Sequence, residues 1–353
     1  MLLKAAVIGL GRIGAEPSSR FNDKIPEGWL PISHVEAIKS TIGLNLVALC
    51  DPNEERLQKM SVHYSVEKAY TDYKILLKEI KPDIVSIATR TDIRCEIIEH
   101  ALDYGVSGFY AEKPISRSIS ECRKILAAIQ KNDAKIVYGA NRRAMNVYKK
   151  AKQICLSGEL GEIIHISAEF GKAPLLWTLP HVADMILYFA GTTQIESISG
   201  NCNLPADDSF KIIDADPLVN YAFFKFSNGI TASISSINGL NIRIGCTRGN
   251  LTIHGDGEFI EINSRGKMEA YLHETKILKA SPAKSGTQCL FEDLRDALIL
   301  NKPIENIAPE EILAGQKLLF GIVQSALKNG SSISTAELNE DFVITGKTGQ
   351  FYA

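Results

Sequence analysis

The sequence has no apolar run long enough to span a bilayer. Its first ten residues, MLLKAAVIGL, have no charged region ahead of the apolar one and no small-residue cleavage site, so they do not resemble a signal peptide. An excess of one charge is also lacking, because 39 Lys and Arg residues are balanced by 41 Asp and Glu residues. This balance gives no electrostatic case for binding nucleic acid or an anionic membrane. These absences predict a cytoplasmic protein with neither kind of partner.

Paired cysteines and metal-ligand spacings are absent as well. The seven cysteines are scattered without any Cys-x-x-Cys pair, and their odd number favours free thiols in a reducing compartment. The seven histidines lie far apart and no His-Glu-x-x-His occurs, so we predict no metal site. The length of 353 residues exceeds one ordinary core and suits two domains.

Two hydrophobic patterns divide the chain. Up to about residue 140, short unalternating runs such as LKAAVIG, LNLVALC and DIVSIAT are separated by helical patterns, which is typical of a parallel sheet buried on both faces. After about residue 160, strand patterns such as VNYAFFKFS and GITASISSI follow one another directly, with Asn228-Gly229 as a hairpin turn. We predict an α/β Rossmann domain over 1–145, with a doubly wound parallel sheet. An α+β domain with an open-faced, mostly antiparallel sheet follows over 146–353, its C-terminal helix and tail packing back on the first domain.

The first strand runs into a Gly-x-Gly-x-x-Gly motif formed by Gly9, Gly11 and Gly14. In a dinucleotide site these glycines provide the tight turn, the close approach to a pyrophosphate and the packing of helix on strand. Arg12 and Ile13 lie inside the motif and belong to the same predicted cofactor site. The alternative is a tight turn that binds no ligand.

An acidic residue ends the second strand, in NLVALCD. The carboxylate of Asp51 can accept both adenosine ribose hydroxyls and would repel a 2′-phosphate, and no Arg or Lys follows it immediately. We therefore predict NAD rather than NADP. The alternative role for Asp51 is a helix N-cap.

Asp51 lies 37 residues after Gly14, whereas about 20 is usual. The segment 15–32 is polar and contains three prolines, so it is predicted to be a surface loop that interrupts the first crossover, with the helix resuming near His34. Two alternatives remain open: the loop covers the cofactor or substrate, or it is a passive insertion.

Two further groups of residues are candidates for chemistry. Lys113 follows the fifth strand in AEKP, at the sheet edge where ligands of open α/β sheets bind, and Pro114 excludes it from a helix. His181 and Asp184 are three residues apart on a predicted helix and share one face. The alternatives are a solvated lysine and a structural histidine.

Together these motifs resemble the glucose–fructose oxidoreductase/inositol dehydrogenase family (GFO/IDH/MocA). The resemblance covers nearly the whole chain and is carried by GLGRIG, ALCDPN, SIAT, AEKP and HVAD. The stretch ANRRAMNVYKKAKQICLSGELGEI is further similar to a subgroup associated with bacterial surface and nonulosonate sugar pathways.

The resemblance implies a nicotinamide-binding Rossmann domain and a substrate cleft. It implies that Lys113 lies beside the nicotinamide and that His181 is catalytic, and Asp184 corresponds to a residue that binds substrate hydroxyls. The other positions it implies are Thr89, Arg90 and Glu112 in the cofactor site and Asn141 and Arg142 on the substrate side. The alternative for Arg142, in an Arg-Arg pair, is a solvated surface.

Two positions depart from the family pattern. Family members often carry an aspartate four residues before the histidine, where this chain has Trp177, so a proton relay through that aspartate is absent. Trp177 is instead a candidate stacking surface for a sugar ring. The usual Thr-Pro after the fourth strand is Thr89-Arg90.

The expected function is NAD-dependent hydride transfer at a secondary alcohol or ketone of a sugar, nucleotide sugar or polyol. His181 would be the general base, and Lys113 would stabilise charge on the same oxygen. Two alternatives are a non-catalytic sensor of NAD and sugar, and an NAD-dependent glycosidase of the same fold. Apolar residues on both faces of NYAFFKF predict a homodimer or homotetramer joined through the C-terminal sheet.

Overall fold

The computed structural model of the protein describes residues 2–21, 25–26, 28–204, 212–265, 274–279 and 284–346. The chain divides into two compact units. The first comprises Met1–Ile25, Trp29–Ala144 and Lys284–Pro309, and the second comprises Pro26–Gly28, Met145–Ala283 and Glu310–Ala353.

The first unit is built on six parallel strands in the order β3-β2-β1-β4-β5-β6. In chain order its elements up to residue 138 are β1 (Leu3–Ile8), α1 (His34–Ser40), β2 (Leu44–Cys50), α2 (Glu54–Tyr64), β3 (Ala69–Tyr70), α3 (Tyr73–Ile80), β4 (Ile84–Ile87), α4 (Arg94–Asp103), β5 (Gly108–Ala111), α5 (Ile119–Lys131) and β6 (Lys135–Tyr138).

Two neighbouring strands of this sheet, β4 and β5, are buried along their whole length. Every residue of β4 and β5 is buried, as the unalternating apolar runs predict for a sheet covered on both faces. Because the strands are parallel, the residues that follow β1, β2, β4, β5 and β6 meet at one edge of the sheet. That edge is where ligands of open α/β sheets bind.

The second unit contains a nine-stranded mixed sheet in the order β16-β15-β14-β13-β7-β12-β11-β8, with β9 beside β11. Its elements up to residue 279 are α6 (Asn146–Leu156), β7 (Ile163–Glu169), β8 (Ala173–Pro174), α7 (Leu179–Ala190), β9 (Ile195–Cys202), β10 (Ile212–Ile213), β11 (Leu218–Phe226), β12 (Thr231–Ser235), β13 (Asn241–Cys246), β14 (Gly249–His254), β15 (Phe259–Ser264) and β16 (Glu274–Lys279). Within this sheet β12 and β7 are parallel, and the other neighbouring strands are antiparallel.

In the described part of the chain after residue 283, the α-helices and the strand are α8 (Gly286–Ile299), α9 (Pro309–Leu327) and β17 (Val343–Ile344). Helix α8 belongs to the first unit and packs on α1, β5 and β6, although the sequence-based division assigned its residues to the second domain. Phe291 of α8 stacks on Tyr110 of β5 with ring centroids 4.6 Å apart. The Rossmann sheet and the mostly antiparallel second sheet confirm the predicted fold class.

Candidate functional site

The glycine turn after β1 has the shape that a dinucleotide site needs. Gly9 has φ +92°, and a Cβ there would lie 2.7 Å from the backbone of Ala88, while a Cβ on Gly14 would overlap the carbonyl oxygen of Gly9. Both positions therefore require glycine. A Cβ on Gly11, by contrast, would meet nothing within 4 Å, so the backbone there is open to a phosphate group.

The helix that follows this turn is assembled from two pieces of chain. Residues 11–15 form one turn, in which Ala15 N–H donates to Gly11. The next turn is α1, whose first amides at His34 and Val35 donate to the carbonyl oxygens of Ile13 and Gly14 at 2.8 and 3.0 Å. The 15–32 segment thus interrupts the phosphate-binding helix after a single turn, and the predicted resumption at His34 is confirmed.

The base of the inserted segment is closed by Glu36 of α1. Its carboxylate accepts hydrogen bonds from the amide and hydroxyl of Ser18 and from the hydroxyl of Ser33. Further along, the buried side chain of Trp29 lies under the Arg142 guanidinium, whose carbon is 4.9 Å from the ring centroid. Arg142 is itself buried at the end of β6, so its alternative reading as part of a solvated surface is wrong.

Asp51 joins the end of β2 to the glycine turn. Its carboxylate is buried and accepts the amide N–H groups of Leu10 at 2.8 Å and Asn53 at 2.9 Å. The N-cap of α2 is Asn53, whose side chain accepts from the amide of Arg56, so the N-cap alternative for Asp51 is wrong. Each oxygen of Asp51 retains acceptor capacity for a ribose hydroxyl. The half-exposed Arg56 guanidinium, 3.4 Å away, neutralises part of its charge.

The turn after β5 carries Lys113, which is half-buried and precedes a cis Lys113–Pro114 peptide bond. The backbone around it is held by Arg94 of α4, whose guanidinium donates to the carbonyl oxygens of Glu112 and Pro114. The same guanidinium donates to the carbonyl oxygen of Thr89 after β4. The buried Arg94 guanidinium therefore hydrogen-bonds the turns after both β4 and β5.

Three more predicted residues lie near this edge of the sheet. Glu112 is buried, and its carboxylate faces inward to His34 and to the amide of Lys113. Asn141 is buried after β6 and its amide nitrogen lies 3.3 Å from the hydroxyl of Thr287, whereas its Oδ1 has no hydrogen-bond partner in the described structure. Arg90 is exposed after β4.

In the second unit, α7 carries His181 and Asp184. His181 is half-buried, with Nδ1 shielded from solvent, and Asp184 is buried. At the C-terminus of α7, the ammonium of Lys152 donates to the carbonyl oxygens of Tyr188 and Phe189, which complements the helix dipole. Helix α7 is therefore fixed at the end away from His181.

The segment before α7 is held by a carboxylate from a distant part of the chain. Asp216 is buried and accepts the amide N–H groups of Leu176 at 2.7 Å and Trp177 at 3.0 Å. Trp177 itself is half-buried. Asp216 thus sets the backbone from which the helix bearing His181 begins.

Sequence reasoning missed Arg94, Asp216 and the bonding of His34. No spacing rule could have found Arg94 or Asp216, because their partners are backbone atoms and most of these lie about 20 or 40 residues away. His34 stood at the predicted restart of the helix, but nothing local marked its side chain as a hydrogen-bonding group of the site.

Two negative observations concern only the residues that the structure describes. None of their helices is both long and apolar enough to cross a bilayer. Over the same residues, no three His, Cys, Asp or Glu side chains are grouped so that they could hold a metal ion.

The parallel sheet, the glycine turn and the acidic residue after β2 define a dinucleotide-binding domain of the Rossmann class. Residues 3–140 match the model of the GFO/IDH/MocA group, described as an oxidoreductase family with an NAD-binding Rossmann fold. Over these residues the chain is similar to that family.

Two curated relatives and one solved structure are similar to this chain. Inositol 2-dehydrogenase of Salmonella typhimurium is 29% identical over 165 residues, which are 46% of this chain and less than half (44%) of that protein. Myo-inositol 2-dehydrogenase of Thermotoga maritima is 26% identical over 237 residues, 63% of this chain and 65% of the relative. The fold is shared with an Agrobacterium radiobacter oxidoreductase crystallised with NAD⁺, L-tartaric acid and magnesium, at a TM-score of 0.74 and 18% identity over 95% of this chain and 99% of that one.

Proposed function

We propose that this protein is an NAD-dependent dehydrogenase or reductase acting on a secondary alcohol or ketone of a sugar, nucleotide sugar or polyol. The observation that carries the proposal is the half-buried Lys113 on a turn fixed by Arg94, at the sheet edge where the glycine turn is open to a phosphate. The dehydrogenases named among the relatives act on inositol, which supports a polyhydroxylated substrate.

The residues fit NAD on three counts. Gly11 leaves open backbone for the pyrophosphate, Asp51 offers acceptors for the ribose hydroxyls, and the half-buried Thr89 and exposed Arg90 follow the neighbouring β4. When bound, NAD supplies the two-electron acceptor for the carbinol C–H bond.

Within this proposal, the remaining steps belong to side chains of the chain itself. His181 accepts the hydroxyl proton at Nε2, because Nδ1 is shielded, and Lys113 donates an N–H to the same oxygen as negative charge develops there. Asp184 accepts a hydrogen bond from a neighbouring hydroxyl, and Trp177 offers an apolar surface to the ring. In the reductive direction the same proton returns from His181 to the ketone oxygen. Asn141 and Arg142 are proposed to contact the substrate as well.

A panel of polyols, free sugars and nucleotide sugars, monitored by the absorbance of NADH, tests the proposal. We expect Lys113→Ala and His181→Ala each to lower kcat by about 100-fold or more, as loss of a charge-stabilising donor or a general base does. Lys131→Ala and His63→Ala, both exposed, are the matched controls and should leave kcat unchanged. Turnover within a few-fold of wild type in both site variants would refute the assignment.

The same assay separates the competing functions. A sensor would bind NAD but give no absorbance change with any member of the panel. The feature that favours this alternative is Trp177, which stands where family members often carry an aspartate. A glycosidase would release sugar from a chromogenic glycoside without net reduction of NAD. The assignment to a surface-sugar subgroup remains a prediction that nucleotide sugars in the panel would test.

We also propose that two copies, or four, associate through the second sheet, in keeping with a cytoplasmic enzyme. Alternate residues of β11 are buried, such as Phe224, while Tyr221 and Phe223 are 51% and 45% exposed on the other face. The ring of His165 on β7 lies parallel to Phe223, 6.2 Å away between centroids. Exposed aromatic side chains grouped on one sheet face favour an interface between protein subunits.

A further inference from the structure

His34 is a polar side chain buried completely inside the first unit, at the start of α1. Its Nδ1 lies 2.5 Å from Ser86 Oγ on β4, and its Nε2 lies 3.2 Å from Glu112 Oε1 after β5. The ring packs against Tyr110, with centroids 4.3 Å apart. Because both nitrogens have partners on different strands, the ring cannot turn without breaking both hydrogen bonds.

Glu112 connects His34 to the backbone of Lys113. Its second oxygen, Oε2, accepts the Lys113 amide N–H at 3.2 Å. The end of β6 closes another side of the carboxylate, since a Cβ on Gly139 would lie 2.5 Å from Oε1. Burial alone would raise the pKa of Glu112, but the hydrogen bond from His34 and the charges of Lys113 and Arg94 lower it below its ordinary value, so Glu112 is a carboxylate at neutral pH.

The charge of Glu112 determines which group donates in each hydrogen bond around His34. An ionised carboxylate only accepts, so Nε2 of His34 must carry the proton that it donates to Glu112. In the neutral ring Nδ1 then accepts from the Ser86 hydroxyl. The backbone N–H of Lys113 thus donates to Glu112, and the carbonyl oxygens of the residues before and after Lys113 accept from Arg94.

We propose that His34 is a positioning residue for Lys113: by donating from Nε2 to Glu112, it orients the carboxylate that holds the Lys113 amide and so aims the lysine side chain. This inference rests on the proposed function, in which the Lys113 amine bonds the reacting oxygen. His34 is buried and is proposed to touch neither substrate nor cofactor. It acts through Glu112, as outer partners act on directly binding groups.

Two isosteric substitutions separate positioning from simple packing. In His34→Gln the side-chain amide nitrogen reaches the place of Nε2 and can still donate to Glu112. In His34→Asn it reaches only the place of Nδ1, so the Ser86 bond can survive and the Glu112 bond is lost. Both variants remove the ring stacking on Tyr110, so that loss cancels in the comparison. His63→Gln, an exposed histidine of α2, is the control.

The first readout is amide hydrogen exchange of Lys113, which needs neither substrate nor cofactor. We expect His34→Asn to speed exchange of this amide by about tenfold or more relative to His34→Gln. The two variants are compared under conditions that give them the same free energy of unfolding. The second readout is kinetic: His34→Asn should lower kcat by about tenfold with KM nearly unchanged, and His34→Gln should recover most of the loss.

Equal exchange at Lys113 in the two variants would overturn the inference, whether both resemble wild type or both exchange fast. Recovery of exchange protection by glutamine without recovery of kcat would also overturn it. If wild type oxidises no member of the substrate panel, the proposed function fails, and the exchange comparison still decides whether His34 positions Lys113.

Discussion

The interrupted helix makes a quantitative prediction about residues 16–32. In an uninterrupted α-helix, the amide that donates to the Ile13 carbonyl belongs to the fourth residue after it. Here the amide that donates to the Ile13 carbonyl belongs to His34, and the carbonyl of Gly14 accepts from the amide of Val35. Deleting the 17 residues 16–32 would place His34 four residues after Ile13. We therefore expect this deletion to yield one continuous helix in the native register.

A deletion of residues 16–31 is the matched control, because it differs by one residue and removes the same loop. His34 would then be turned by about 100° around the helix axis and lose its bonds to Ser86 and Glu112. Leaving buried polar groups unsatisfied costs about 1–3 kcal/mol each, so the shifted variant should be less stable by about 3 kcal/mol or more. At about 2–4 °C per kcal/mol for a unit of this size, its melting temperature should lie about 6–12 °C lower.

Both deletions remove Trp29 from beneath Arg142, so the loss of that contact cancels between them. The assays are thermal unfolding followed by circular dichroism and NADH binding followed by the fluorescence of the reduced cofactor. The in-register deletion should bind NADH within about threefold of wild type, less than 1 kcal/mol. Equal melting temperatures and equal affinities for the two deletions would refute the helix register described above. A changed KM for substrate in the in-register deletion would show that the loop contributes to substrate binding, either by covering the site or through the contact of Trp29 with Arg142.

Four further outcomes are expected. Asp216→Asn should destabilise the protein by about 2–3 kcal/mol in urea, because one of two backbone amides loses a charged acceptor, while the exposed Asp214→Asn should not; equal urea midpoints would contradict this. Gly14→Ala should abolish NADH binding measured by fluorescence, since its Cβ overlaps backbone, and wild-type affinity would contradict the tight turn. Because the pKa of Glu112 is lowered from its ordinary value of 4.5, its charged form stabilises the fold above about pH 4.5, and this stabilisation disappears as pH falls through the folded-state pKa. The urea midpoint of Glu112→Gln should therefore fall less than that of wild type below about pH 4.5. Parallel curves of midpoint against pH would contradict the lowered pKa. Phe223→Ser should shift the protein toward monomer in light scattering, and an unchanged mass would argue against an interface on that face.

The parts of the fold that sequence could predict are those encoded locally. Strand burial, the glycine turn and Asp51 each follow from the spacing of a few neighbouring residues, and all three are where the sequence suggests. The helix restart at His34 was also readable, because the polar, proline-rich segment before it could not continue a helix.

The parts that sequence could not predict depend on partners far along the chain. The buried state of Arg142 follows from Trp29, which arrives from the inserted loop, so the charge pair alone suggested a solvated surface. The place of α8 in the first unit depends on Phe291 fitting against Tyr110, and no periodic pattern in α8 distinguishes which of two sheets it will cover.

Asp216 bears on the missing aspartate of the family pattern. Its carboxylate lies at the backbone of Trp177, the position where the resemblance expects an acid, but both of its oxygens accept backbone N–H groups. A carboxylate stabilised by two such bonds is a weak proton acceptor, because protonation would break one of them. Asp216 is therefore suited to hold the segment that precedes His181 rather than to relay its proton. If His181 is the base, the proton it takes must leave by another route, such as exchange of its half-buried imidazole with solvent after product release.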